Sequence, residues 1–304
     1  MTDTLKPLLD SMDVAGDADA LRARMERDGY LFIRGRTDAE ARQQVRRDII
    51  GVLVKHEWLA PGSEPEQALA GDFVAIEGDA AFAEMYDDLQ KLESFHAFAH
   101  DPGIVEVVGR LVGEEVLVHP RHIARVIFPQ ATKFTTPPHQ DFIHIQGTPE
   151  VYTAWIPLDD MNAELGGLAI LAGSHRQGVY DVHAALGAGG LAIDTTEMGL
   201  PWVGGEMRAG DYLLFHSMVV HRGVNNVTRN RIRLSLDYRY QGASQPVVAS
   251  SLEPHHGRLK WEQVYAGWQS ERYQYYWKRF DLQLAEFTPK WHLAAGRAGP
   301  KKAY

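Results

Sequence analysis

Pro137-Pro138-His139-Gln140-Asp141 is the stretch on which the reading of the fold turns. The two prolines force an extended approach, because a residue that precedes proline is driven out of the helical region. Side chains alternate with period two along an extended segment, so His139 and Asp141 fall on one face. An imidazole beside a carboxylate makes two thirds of a 2-His-1-carboxylate facial triad. That ligand set holds non-haem Fe(II) and leaves open positions on the metal. A lone His-x-Asp is equally at home in an exposed loop. A third ligand and a buried cation downstream sharpen the reading; His221 offers the first and Arg231 or Arg233 the second.

The chain around this stretch is β-rich. Residues 115–119, 122–128, 151–158, 168–171, 212–215 and 218–221 read as short strands punctuated by Gly and Pro. Residues 232–240 alternate Ile232, Leu234, Leu236, Tyr238 and Tyr240 against Arg233, Ser235, Asp237 and Arg239. Many short strands of this kind predict a sandwich or barrel. The preceding chain is mostly helical, with helices expected over 17–28, from an N-cap at Thr37 to about residue 54, over 81–98, and from Asp101-Pro102 onward. A strand over 30–33 interrupts them. After Gly242 the pattern returns to helix, and residues 261–280, dense in Trp and Tyr, are expected to form an outer helix against the β core. The expected organisation is one domain: a mostly helical part over 1–115, a β core over 116–242 and a helical part over 243–304. Residues 61–71 read as a surface loop or cover. Residues 184–197 read as an insertion between strands that shapes a substrate pocket.

Composition narrows the function. The 304 residues are 45% hydrophobic, which suits a sizeable core. A formal charge of −9 and the lack of a basic stripe speak against nucleic acid as a partner. With no cysteine there is no disulfide, thiolate metal site or cysteine nucleophile, and metals fall to His, Asp and Glu. No stretch approaches the ~20 apolar residues of a membrane span, and no signal-peptide pattern opens the chain. The expectation is therefore a cytoplasmic protein with a small-molecule substrate and no membrane partner; the oligomeric state is not legible.

The order and spacing of several short motifs over residues 137–240 resemble the phytanoyl-CoA dioxygenase family of Fe(II)/2-oxoglutarate oxygenases. They are Pro138-His139-Gln140-Asp141, Thr153-Ala154-Trp155-Ile156-Pro157-Leu158-Asp159, Glu164-Leu165-Gly166-Gly167-Leu168, Ala172-Gly173-Ser174-His175, Gly210-Asp211, Phe215-His216, His221 with Asn225-Asn226, and Arg231 to Ser235. The resemblance implies a mainly β, double-stranded β-helix (jelly-roll) core with flanking helices. It implies His139, Asp141 and His221 as iron ligands, with His216 the competitor for the distal position. It implies an arginine anchor for 2-oxoglutarate. Arg231 aligns best with the family; Arg233 with Ser235 resembles the Arg-x-Ser pairing of other such oxygenases. Trp155 matches a residue that lines the cosubstrate pocket, and Arg125 is a candidate contact to cosubstrate or substrate. His144, His175 and His183 are further histidine candidates, of which His144 reaches the substrate only if the segment bends. The implied reaction consumes O2 and 2-oxoglutarate, releases succinate and CO2, and hydroxylates a small organic molecule. Desaturation or another oxidative rearrangement, and a non-oxygenase metal-binding jelly roll, are the alternatives. Related halogenases carry Gly or Ala at the carboxylate position, so Asp141 speaks against halogenation.

Overall fold

The computed structural model describes residues 5–72 and 74–291. Its N-terminal half is built by well-marked helices. Helix α1 (Ala18–Asp28) starts at Asp17, whose carboxylate accepts the amides of Asp19 and Ala20, and ends at Gly29 in the left-handed region (φ 80°). Strand β1 (Tyr30–Ile33) follows. Asp38 rather than Thr37 caps α2 (Ala39–Lys55), accepting from the Ala41 amide. The single helix expected over 81–98 is two, α3 (Ala80–Leu89) and α4 (Glu93–Phe98). The break is held where the buried His96 ring donates to the Gln90 carbonyl at 2.9 Å. Asp101 caps α5 (Pro102–Val112), with proline in the first turn.

The remaining elements are β2 (Val116–Val118), β3 (Ile123–Ile127), the single turn α6 (Phe142–Ile145), β4 (Tyr152–Pro157), β5 (Leu168–Leu171), β6 (His183–Ala184), β7 (Leu191–Ala192), β8 (Trp202–Val203), β9 (Tyr212–His216), β10 (His221–Gly223), β11 (Arg233–Gly242), β12 (Val247–Val248), α7 (Trp261–Tyr265) and β13 (Leu284–Ala285). A six-stranded sheet runs in the order β1-β9-β4-β11-β2, with β3 also paired to β11; a second sheet runs β10-β5-β8. Every pairing in these two sheets is antiparallel. Trp155, Leu213 and Phe215 of the large sheet pack against Ile170 and Val203 of the small one. The result is the jelly-roll core of the sequence expectation.

Strand β11 organises the molecule because both of its faces are buried. Leu234, Leu236, Tyr238 and Tyr240 face the helices and join one core with residues of α1 to α5. The two phenols are satisfied there: Tyr238 donates to the Phe95 carbonyl at 2.6 Å and Tyr240 to that of Ala99 at 2.9 Å, both at the carbonyl-rich end of α4. The opposite face carries Arg233, Ser235, Asp237 and Arg239, all buried. A charged strand face inside a core is costly unless each group has a partner or a task.

Two further expectations fail. Residues 261–280 are not one helix: α7 has five residues, the chain then turns, and a short 3-10 segment follows at Tyr276–Arg279. The turn lets Trp268 donate to the Lys91 carbonyl at 3.0 Å and the Gln269 amide to Glu93 at 2.6 Å, tying the segment to the α3–α4 junction. The aromatic packing against the β core stands, since Trp261, Tyr265 and Trp277 cluster with Leu117 and Val247. Residues 217–220 form a turn, so β10 begins at His221. Among the described residues no helix is long and apolar enough to cross a membrane.

Candidate active site

His139 is not on a full strand. It forms an isolated antiparallel bridge with His221, each residue's amide donating to the other's carbonyl at 3.0 Å. Asp141 then turns into α6 with helical backbone (φ −62°, ψ −33°) instead of continuing extended. The two side chains still converge, because the bridge fixes His139 against β10 and the turn carries Asp141 back toward it. One ligating atom each of His139, Asp141 and His221 lie within 4.8 Å of one another, and all three residues are buried. Nε2 of His139 is 3.8 Å from Asp141 Oδ1, and Nε2 of His221 is 3.9 Å from the same oxygen.

Hydrogen bonds behind the three groups set their chemistry. His139 donates from Nδ1 to the Pro137 carbonyl at 2.8 Å, and His221 from Nδ1 to that of Val219 at 3.1 Å. Only a protonated Nδ1 can do so, which leaves the Nε2 lone pairs for a metal. Burial holds His139 down to about 3 and lowers His221, so both rings are neutral at physiological pH. Burial opposes the charged form of Asp141, but Arg239, His221, His139 and Thr153 outweigh it and keep the carboxyl well below its ordinary range. Thr153 Oγ1 donates to Asp141 Oδ2 at 2.7 Å. Arg239 reaches both oxygens, at 3.4 Å from Nε to Oδ2 and 3.3 Å from Nη2 to Oδ1. The pair restrains the carboxylate with Oδ1 toward the histidines.

The pocket around the triad is also lined by Arg125, Trp155, Arg233, Ser235 and Asp237. Here the structure separates the two candidate arginines. Arg231 precedes β11, its side chain is 38% exposed, and it pairs with Asp159 at 3.8 Å on the outside. Arg233 is 5% exposed and reaches into the triad pocket. The preference for Arg231 is thereby reversed in placement: residues two apart share a strand face only where both are in the strand, and β11 starts at Arg233. Arg233 donates from Nη1 to the Val224 carbonyl at 2.6 Å and to that of Gly167 at 3.4 Å. Burial lowers its guanidinium to about 10, still cationic at neutral pH. Its Nε and the Ser235 hydroxyl are buried without a hydrogen-bond partner among the described residues. A cation and a hydroxyl with donors to spare fit the distal carboxylate of a 2-oxo diacid.

Arg125 donates to Asp237 Oδ2 at 2.9 Å and lies 3.8 Å from Glu77. Gly166 (φ 70°) makes the tight turn beside the pocket, where a Cβ would stand 2.4 Å from the Asn225 carbonyl oxygen. His216 is placed elsewhere: it faces Glu150 at 3.6 Å and the His175 ring at 5.5 Å. His183 is exposed on β6. His144, carried round by α6, lies with its ring 6.2 Å from that of His139. Sequence reasoning assigned no role to Thr153, Asp237 or Arg239. The only signal for the last two was the polar half of the β11 alternation.

The family model for phytanoyl-CoA dioxygenase (PhyH) matches residues 25–234, which include the triad and Arg233. Two relatives, the 1-deoxypentalenic acid 11-beta-hydroxylases of Streptomyces exfoliatus and Streptomyces arenae, are each 29% identical over 269 residues, covering 84% of this chain and 92% of their own. Among solved structures, the epimerase SnoN in complex with Fe3+, alpha ketoglutarate and nogalamycin RO has a TM-score of 0.54 at 24% identity, over 75% of this chain and 84% of its own. The alpha ketoglutarate dependent carbocyclase SnoK from nogalamycin biosynthesis has a TM-score of 0.54 at 20% identity, over 79% of this chain and 88% of its own. The structural likeness is one of fold. With the family model spanning more than half of its length, this chain belongs to the phytanoyl-CoA dioxygenase family.

Proposed function

We propose that the protein is an Fe(II)- and 2-oxoglutarate-dependent oxygenase that hydroxylates a small organic molecule. The observation that carries this is the convergence of three buried ligating atoms with a buried arginine and an unpartnered hydroxyl in one pocket. His139, Asp141 and His221 would hold the metal; Arg233 and Ser235 would hold the far carboxylate of the cosubstrate. When bound there, iron and 2-oxoglutarate would supply oxidation by dioxygen with release of succinate and carbon dioxide.

The chain's own residues do the rest. The Pro137 and Val219 carbonyls aim the imidazoles by fixing their tautomers. Thr153 holds Oδ2 and Arg239 spans both oxygens, which fixes the carboxylate so that Asp141 presents Oδ1 toward the histidines. Trp155, Leu168 and Phe215 supply an apolar wall that limits water. The N-terminal helices and the jelly roll work as one domain, since a single apolar core joins α1 to α5 with β11.

The test is an anaerobic titration of the full-length protein with Fe(II) and then 2-oxoglutarate, followed by the visible charge-transfer absorption of a chelated 2-oxo acid. The band is expected in the native protein and in His216→Ala, and absent in His221→Ala. A band that survives in His221→Ala, or none in the native protein, overturns the assignment.

A further inference from the structure

A second cavity, of about 220 Å³, opens beside the triad pocket and shares Arg125, Ile127 and Thr136 with it. We propose that this cavity takes a compact, uncharged, largely apolar molecule bearing a ketone or hydroxyl oxygen, and that His255, backed by Tyr86 and flanked by His256, grips that oxygen. The proposal deepens the function above and rests on it only for which metal the molecule faces.

Size and lining give the first argument. The cavity lies below the ~300–1,000 Å³ of drug-sized sites, so a nucleotide-bearing thioester does not fit within it. Its body is apolar, with Ile76, Phe82, Val126 and Phe128 among the lining residues. Phe134 and Leu186 stand 39% and 68% exposed at its edge, large apolar side chains facing the approach. One wall is the loop after β6, pinned where Gly187 (φ 98°) approaches Thr135 so closely that a Cβ would stand 2.6 Å from its carbonyl oxygen.

Charge gives the second. Among the described lining residues Arg125 is the one cation, and it is already shared by Asp237 at 2.9 Å and Glu77 at 3.8 Å. Arg121, near the histidines, donates to the Ser250 carbonyl at 2.9 Å and is not on the wall. A substrate carboxylate would meet no spare cation and would face Glu77. The two relatives are named for a carboxylic acid; this cavity departs from such a substrate.

The polar strip gives the third. Consecutive side chains normally diverge, but His256 adopts φ 65°, rare for a residue with a Cβ, and its ring folds back to 3.9 Å from that of His255. Both rings line the cavity. Tyr86 Oη lies 2.7 Å from His255 Nδ1. Burial raises the Tyr86 phenol, so it keeps its proton and donates it; burial also lowers His255, which stays neutral. A neutral imidazole that accepts at Nδ1 carries its proton on Nε2, a donor for an oxygen acceptor.

Calorimetry of the full-length protein with rigid cage probes tests this, run with and without Fe(II) and 2-oxoglutarate under argon. Adamantanone is expected to bind saturably under both conditions. Adamantanecarboxylate is expected to bind at least roughly tenfold more weakly, because like charges brought together cost more than that factor. His255→Phe is expected to weaken the ketone about tenfold. Glu77→Gln, at an exposed position, is expected to strengthen the carboxylate and narrow the gap. Equal or tighter carboxylate binding in the native protein, no binding of either probe, or a ketone indifferent to His255→Phe overturns the proposal. Binding without metal, beside a failed iron titration, would sink the oxygenase reading and leave the cavity assignment standing.

Discussion

Replacing Arg233 by alanine removes the one buried guanidinium of the triad pocket that, among the described residues, is not paired with a carboxylate. Its partners within the protein are two backbone carbonyls, of Val224 and Gly167. The charge is therefore uncompensated until an anion arrives, and the ion pair with the cosubstrate forms out of water. Breaking a buried pair by deleting one partner costs about 3–5 kcal/mol, so affinity for 2-oxoglutarate should fall by roughly a hundredfold to a few thousandfold. Arg231→Ala removes a side chain 38% exposed whose carboxylate partner is 3.8 Å away, and such surface pairs contribute about 0–1 kcal/mol. Its titration should shift by less than about fivefold. The assay is the anaerobic charge-transfer titration of the Fe(II) protein. A 2-oxo monoacid without the distal carboxylate is the internal control, and Arg233→Ala should leave its binding unchanged. An unaltered 2-oxoglutarate titration in Arg233→Ala, with a large loss in Arg231→Ala, refutes the reasoning.

Other outcomes follow from the same geometry. His139→Ala, Asp141→Ala and His221→Ala should each lose bound iron by elemental analysis, whereas His216→Ala, whose ring faces Glu150, should retain it. Thr153→Val and Arg239→Met should each weaken metal binding by about 10–100-fold in equilibrium dialysis, since partners of a ligand typically matter by that factor; unchanged affinity would show that Asp141 needs no support. Away from the site, burial works against the Asp88 carboxylate, but Lys55, His56 and Lys91 prevail and bring it down to about 2. A depressed carboxylate stabilises the fold above its unfolded value near ~4 and loses that contribution as pH falls through the folded value. Urea unfolding should therefore show Asp88→Asn less stable than the native protein at neutral pH, with the difference closing toward pH 2; a constant difference over that range contradicts the pairing.

What could be read from the sequence was what local pattern determines. The caps at Asp17 and Asp101, the stop at Gly29 and the strands at residues 30–33 and 168–171 follow from neighbouring residues. The candidate triad was legible because its three residues sit in motifs with characteristic spacing, even though Asp141 reaches the site through a helical turn instead of a strand. Strand parity could not choose between Arg231 and Arg233. The choice depends on where the strand begins, and that is set by a turn in which the Arg231 carbonyl accepts from Asn226 and Thr228. Arg239 and Thr153 escaped notice because their partner, Asp141, lies 98 and 12 residues away, and only the β11–β4 register sets them opposite each other. The over-long helix at 261–280 shows the reverse failure. Aromatic density mimics an amphipathic helix, while tertiary bonds to residues 91–93 decide the path.

The most direct test of the central claim is mass spectrometry of turnover under labelled dioxygen in chloride buffer, with Fe(II), 2-oxoglutarate and a substrate found by stimulated succinate formation. With Asp141 occupying the carboxylate position, one labelled oxygen should appear in succinate and one in a hydroxylated product. A chlorinated product, or product formed without succinate, would contradict the account.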